Sequence, residues 1–264
     1  MDLQLKGKVA VIPGGSGPIG RATAIVLAQE GAQVVLTARD VASLAAAVAE
    51  VKAASGSAGV LAVRCDVTDE ASVAAMAEEV VRRLGGIDIL VYCAAPRVRS
   101  STGYGEAAFP DPEGTAEELN VKVWGGVRCS RAVLPHMKAK GWGRIVLLTG
   151  SNYRNSGSTG GAIRNAAVLP LAKNMADEFG QYGINVTAVS PGVVFTEKTA
   201  GRAERSGMTM AEFEASVAKD TAIRRMVTAE EVAWVIAFLC SPKGVSISGD
   251  VVAVTGGSGT GIYY

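Results

Sequence analysis

The sequence predicts an α/β fold: a single-domain, doubly wound parallel sheet of seven strands flanked by helices. Three observations carry this. Short β-branched runs alternate with runs of helical period along the 264 residues. A glycine cluster joins the first strand to the first helix. No Pro/Ser-rich or charge-rich linker divides the chain, whose length suits one large domain spanning 1–264.

The first strand, Val9 to Pro13, ends in the cluster Gly14, Gly15, Gly17 and Gly20, and Arg21 to Glu30 continues as a helix. Glycines let the backbone pass close to an anion, and a first helical turn offers N–H groups without intrahelical partners. The cluster is a candidate phosphate cradle, with a plain surface turn as the alternative. Gln33 to Arg39 follows as a second strand at the spacing of a βαβ unit. It ends in Arg39, where an acidic residue would grip a ribose 2′-hydroxyl. A guanidinium there suits a 2′-phosphate, or is simply solvated.

Val41 to Ala53 has helical spacing and is broken by Ser55 to Gly59. Val60 to Cys65 reads as the third strand, and Asp66 to Asp69 opens the next helix. Asp66 sits at the carboxyl end of a strand, where its carboxylate could accept from an adenine amino group or cap the helix. Ile87 to Pro96 is the fourth strand, running into small residues that permit close approach of a ligand. Arg97 to Gly114 reads as loop, and Glu117 to Lys138 as one long helix containing Asn120. Gly143 to Thr149 is the fifth strand, followed by the polar stretch Gly150 to Gly161. Ala162 to Phe179 predicts a helix with apolar residues on more than one face, one for the sheet and one for another subunit. Ile184 to Gly192 is the sixth strand. Val193 to Arg225, rich in Thr, Glu, Arg and Met, reads as a mobile substrate lid rather than core. Thr228 to Glu231 has capping-box spacing and starts a helix reaching Cys240, and Val251 to Gly257 supplies the seventh strand.

Acidic and basic residues nearly balance, for a net charge of +1, which argues against nucleic acid as a partner. Cys65, Cys93, Cys129 and Cys240 lack C-x-x-C spacing and read as reduced packing residues. His136, the single histidine, lies near a helix end, so no His-based metal site is expected. Met1 to Lys8 has charges but no apolar leader core, and no apolar run reaches membrane-spanning length. A cytoplasmic location without a membrane partner is the expectation.

With these pieces placed, the chain resembles the classical short-chain dehydrogenase/reductase family over essentially its whole length, which implies a Rossmann-like fold and a bound dinucleotide. The family turn T-G-x-x-x-G-x-G is met by Gly14, Ser16, Gly17, Ile19 and Gly20, with Pro13 and Pro18 replacing the threonine and the middle glycine. Pro18 brings a ring without an N–H to where pyrophosphate would pass. Asp66 and Val67 match the adenine-binding Asp-Val pair, and N-N-A-G is reduced to Tyr92, Cys93, Ala94 and Ala95. Pro191, Gly192, Val194 and Thr196 fall in the segment that holds the nicotinamide amide. With Arg39, the resemblance implies NADP(H) as cofactor, NAD(H) being the alternative.

Asn120 matches the helix asparagine of the family's catalytic group. The Y-x-x-x-K motif, however, falls on Gly161 and Asn165, and the family's serine on Gly150, with Ser151 its neighbour. Hydride addition to a ketone leaves an alkoxide that must be protonated, and neither Gly161 nor Asn165 can do what a tyrosine beside an ammonium does. Asn120, Ser151 and Tyr153 are the candidate catalytic residues. Tyr153 is the best acid by chemistry, provided the loop folds Arg154 back beside it, and Tyr92 is expected to approach the same region. The expectation is an NADP(H)-binding, oxidoreductase-like enzyme for a small hydroxyl or carbonyl compound, forming a homo-dimer or homo-tetramer. The alternatives are a catalytically silent subunit in a hetero-oligomer with an active homologue, and a non-redox lyase- or hydratase-like enzyme on the same scaffold.

Overall fold

The computed structural model describes residues 1–96, 109–155, 158–197 and 199–259. β1 (Val9–Pro13) leads through the glycine turn into α1 (Pro18–Gln29), β2 (Gln33–Ala38) into α2 (Val41–Ser55), and β3 (Val60–Arg64) into α3 (Glu70–Leu84). β4 (Ile89–Tyr92) precedes α4 (Pro112–Leu119), a π-helical segment (Asn120–Trp124) and α5 (Gly125–Lys140). β5 (Gly143–Leu148), a 3₁₀ turn (Ser151–Arg154), α6 (Thr159–Ala166) and α7 (Val168–Phe179) lead to β6 (Ile184–Pro191). There follow β7 (Val194–Phe195), α8 (Thr199–Arg205), α9 (Met210–Asp220), β8 (Val227–Thr228), α10 (Ala229–Cys240) and β9 (Val251–Val254).

Seven strands form one parallel sheet in the order β3-β2-β1-β4-β5-β6-β9, and β7 pairs with β8 apart from it. The predicted fold class is therefore the observed one. The winding runs outward from β1 to β3 and then reverses to β4, so a crevice opens at the carboxyl ends of β1 and β4, where doubly wound sheets bind ligands. Alternate residues of the strands feed two cores because helices cover both faces. Ala10, Ile12, Leu36 and Val146 pack with Leu27 of α1, Val51 of α2 and Ile236 of α10. Val9, Val11, Leu90 and Ile145 pack with Met76 of α3, Val133 of α5 and Ala172 of α7.

Several boundaries differ from expectation. α4 starts at Pro112, inside the stretch read as loop, because the Asp111 carboxylate accepts from the N–H groups of Glu113 and Gly114. Residues 97–108 of that stretch lie outside the described residues. The long helix around Asn120 is interrupted by the π segment. The helix expected from Ala162 begins at Thr159, capped by Ser158, and divides at Ala167 into α6 and α7. The stretch from Val193 to Arg225 holds α8 and α9, and its Ala203, Phe213 and Val217 pack with Met226, the next residue, into an apolar cluster where the sequence predicts a lid rather than core. Phe213 and Val217, four apart, give α9 one apolar face, and the Thr209–Glu212 capping box fixes its start. All four cysteines are free, with Cys65, Cys129 and Cys240 buried. Among the described residues no helix is long and apolar enough to cross a membrane.

Candidate active site

The glycine turn is shaped by close packing. Gly14 sits at φ +79°, and a Cβ on it would lie 2.5 Å from the Ala94 backbone nitrogen, so the turn lies against the end of β4 only as glycine. The Thr37 carbonyl accepts from the N–H groups of Gly14 (2.9 Å) and Gly15 (3.1 Å), and the Pro13 carbonyl from that of Cys93 (2.8 Å). These bonds tie the carboxyl ends of β1, β2 and β4 into one edge. Gly17 is the N-cap of α1 and offers no side-chain acceptor, which leaves the donors of the first turn uncapped. Pro18 occupies the first helical position. An N–H there has no intrahelical partner in any case and the ring pre-sets φ, so the proline takes no bond from the helix, and Ile19 and Gly20 carry the next two donors.

The other residues expected to hold a cofactor line the same edge. Arg39 is exposed just past β2. Asp66, just past β3, accepts through Oδ1 from the Thr68 N–H (3.0 Å) and hydroxyl (2.7 Å), leaving Oδ2 to other donors. Burial opposes ionisation of Asp66, but the Thr68 bonds, with the charges of Arg39 and Arg64, prevail and hold its carboxyl below the ordinary value. The capping alternative goes to Asp69, whose carboxylate accepts from the Ala71 N–H at the start of α3. Val67 and Ala94 are buried beside this edge. Across the crevice, Pro191 is buried at the end of β6, Gly192 donates to the Val254 carbonyl (3.1 Å), Val194 lies in β7, and the Thr196 N–H donates to the Thr199 hydroxyl (2.8 Å). Ser16 is joined to this far side through Arg21, which donates to the Ser16 carbonyl and to Glu197.

The candidate catalytic residues are less united. Asn120 opens the π segment, but its Oδ1 accepts from Arg128 (3.0 Å), whose guanidinium also bonds the Val67 carbonyl (3.2 Å), so the amide faces the β3–α3 connection. Ser151 and Tyr153 lie in the 3₁₀ turn after β5. The Tyr153 hydroxyl is buried with no hydrogen-bond partner among the described residues, and the guanidinium of the adjacent Arg154 lies over its ring, 5.2 Å from the centroid. Tyr92 does not reach this region. It is 1% exposed in the core, donates its hydroxyl to the Val121 carbonyl inside the π segment, and is held well above the usual phenol range, chiefly by burial.

Gly150 and Asn165 are neighbours in space: a Cβ on Gly150 would lie 3.1 Å from the Asn165 amide nitrogen. Asn165 is buried, and its carbonyl accepts from the Thr149 hydroxyl at 2.7 Å. A Cβ on Gly161 would lie 2.7 Å from the Ser158 hydroxyl and 3.2 Å from the Asn152 amide nitrogen. Two polar side chains thus fill the space beside Gly161.

One group here escapes the sequence reading. Lys122, within the π segment, is 7% exposed, and its Nζ lies at the carboxyl end of β5, 3.5 Å from the Thr149 carbonyl. Burial first, and the Arg164 charge second, pull this ammonium down to about 8. Burial pushes the nearby Cys93 thiol up to about 12, against the opposing pull of Lys122. Arg164 of α6 is ion-paired to the buried Glu118 of α4, while Lys122 has no carboxylate partner among the described residues. The only signal in the sequence is a lysine set among Val121, Val123 and Trp124, a pattern shared by solvated helix lysines.

A family model described as enoyl-(acyl carrier protein) reductase matches residues 15–259. The short-chain reductase protein NovJ of Streptomyces niveus is 34% identical over 251 residues, covering 94% of this chain and 93% of its own. The 7alpha-hydroxysteroid dehydrogenase of Escherichia coli (strain K12) is 33% identical over 261 residues, covering 97% and 96%. Among solved structures, levodione reductase matches with a TM-score of 0.86 at 27% identity, over 96% of this chain and 97% of that one. With its parallel seven-stranded sheet and these relatives along its length, the chain belongs to the classical short-chain dehydrogenase/reductase family of oxidoreductases.

Proposed function

We propose that this protein is an NADP(H)-linked oxidoreductase for a small hydroxyl or carbonyl compound, with a proton-transfer site that does not use the family's Tyr-Lys pair. The observation that carries the cofactor reading is Arg39. Its guanidinium is exposed at the carboxyl end of β2, close enough to Asp66 to favour that carboxylate, where a 2′-phosphate would take charge-assisted bonds. The close-packed Gly14 turn, the uncapped start of α1 and the Oδ2 of Asp66 suit a pyrophosphate and an adenine amino group. When bound, the nicotinamide supplies or takes up a hydride. Ser151, in the turn after β5, offers a hydroxyl to orient a substrate oxygen, the Tyr153 hydroxyl of the same turn is buried without a partner among the described residues, and Asn120 is tied through Arg128 to the β3–α3 connection.

Calorimetric titration with NADPH, NADP⁺ and NADH tests the reading. NADPH binding well ahead of NADH supports it, and no binding of any of them at millimolar concentration overturns it. The relatives' names, a reductase and a hydroxysteroid dehydrogenase, favour carbonyl–alcohol interconversion over elimination or hydration. Ile163, 44% exposed on α6, offers an apolar contact for a homo-oligomer, which light scattering of the purified protein tests.

A further inference from the structure

We propose that Lys122 is the proton donor to the substrate oxygen in this site, a role that rests on the oxidoreductase reading above. Its position is the first reason. Nζ lies at the carboxyl end of β5, against the Thr149 carbonyl, and Cys93 at the end of β4 is its neighbour. Thr149 leads directly into the turn carrying Ser151 and Tyr153, and its hydroxyl donates to the backbone carbonyl of Asn165, the position where the family resemblance puts a lysine. Lys122 thus brings an amine from the α4–α5 side to the strand edge that the family serves from α6.

Its bonding is the second reason. An ammonium has three donors, and the single acceptor it meets among the described residues lies at 3.5 Å. A group 7% exposed and so poorly paired weakens the fold, and a substrate oxygen gathering negative charge would complete its bonding. The charged and titratable neighbours are Cys93 from β4, Glu118 from α4 and Arg164 from α6. Glu118 is engaged by Arg164 rather than by Nζ, so no carboxylate among the described residues holds the ammonium, and burial together with the Arg164 charge favours release of its proton. In reduction, the carbonyl carbon gains a hydride from bound NADPH and the C=O π pair moves onto oxygen. That oxygen takes a proton from Nζ to give the alcohol, and the neutral amine left behind regains a proton from water.

The test compares the wild type with Lys122→Met and Lys122→Arg in NADPH-dependent reduction of a small activated diketone, with NADPH binding measured separately by calorimetry. NADPH affinity is expected to stay within about twofold, while kcat of Lys122→Met falls about 10²- to 10⁴-fold with KM little changed. Wild-type kcat is expected to fall as pH rises through about 8, a limb absent from both variants. Lys122→Arg keeps the cation without an acid of that strength and stays slow, whereas a role in charge or packing alone would let arginine rescue. If Lys122→Met folds poorly, the arginine variant and the wild-type pH limb still decide. Unchanged kcat in Lys122→Met, full rescue by arginine, or no diketone turnover by NADPH-bound wild type overturns the proposal while leaving cofactor binding intact. A wild type that binds no NADPH overturns both readings.

Discussion

Arg21 of α1 reaches across the crevice to Glu197, 176 positions later in the chain, at 2.8 Å, while its other amino group holds the Ser16 carbonyl at 2.7 Å. One side chain therefore couples the glycine turn to the segment entering α8, with Glu50 of α2 as a further partner at 3.0 Å. Arg21→Met is expected to weaken NADPH binding about 3- to 10-fold, since a charge-assisted bond at a partly exposed site is worth about 1 kcal/mol. Calorimetry beside a melting curve checks this. An equal loss in Glu197→Gln, with no further loss in the double variant, identifies the pair as one unit.

On the proposed reading, Arg39 sets the preference between coenzymes. Arg39→Ala is expected to weaken NADPH binding about 10- to 100-fold, the worth of about 1.5 to 3 kcal/mol for a bond to a charged group, and to leave NADH nearly unaffected. Arg39→Asp should go further and turn the preference toward NADH, because a carboxylate accepts from the ribose 2′-hydroxyl and repels a phosphate. Parallel titrations with both coenzymes read the switch directly.

Restoring the family's acid meets a steric obstacle that the structure locates. A side chain at position 161 must displace the Ser158 hydroxyl, which caps α6 by accepting from the Gly161 N–H. In the pair Gly161→Tyr and Asn165→Lys, loss of the N-cap is expected to lower stability by about 1 kcal/mol, and the ammonium placed at the 5% exposed position 165 adds a desolvation cost to it. In a Lys122→Met background, which avoids a second buried ammonium, the pair should raise NADPH-dependent ketone reduction about tenfold or more over that background. Steady-state rates and denaturant melts of the same samples check both halves.

Lys122 should also leave a mark on stability against pH. Its ammonium titrates near 8 in the folded protein, below the unfolded lysine value of about 10.4. Between those values the unfolded chain binds the extra proton, so this group's contribution to stability rises with pH; below about 8 its penalty is present in full. Lys122→Met is expected to be more stable than wild type by about 3 kcal/mol at neutral pH, with the gap closing as pH approaches 10.5. Urea melts of both proteins at pH 7 and 9.5 measure it.

What the sequence makes legible is local. β1, β2, β4 and β5 show as β-branched runs because both their faces are buried, and the start of α10 shows because Thr228 and Glu231 form the capping box their spacing announces. The same spacing at Thr209 and Glu212 marks α9, but the polar residues around it hide the two apolar contacts that fold the stretch. The π segment is invisible because five residues are too few for their period to stand out from that of the helices on either side. Lys122 is hidden for a different reason: its burial is made by β4, β5 and α6, which are distant in sequence. Tyr92 is misplaced for the same reason, since only the packed π segment shows where its hydroxyl goes.

That segment, Asn120–Trp124, amounts to one surplus residue threaded into an otherwise ordinary rod. Deleting Val123 would let α4 and α5 fuse while Cys129, Val133 and Met137 keep their seats against the sheet. The same deletion farther along α5 would swing them away by about 100°. Shortening the chain at this point would spare the scaffold and alter what the segment itself carries, the Val121 carbonyl that receives the Tyr92 hydroxyl and the Lys122 amine at the end of β5.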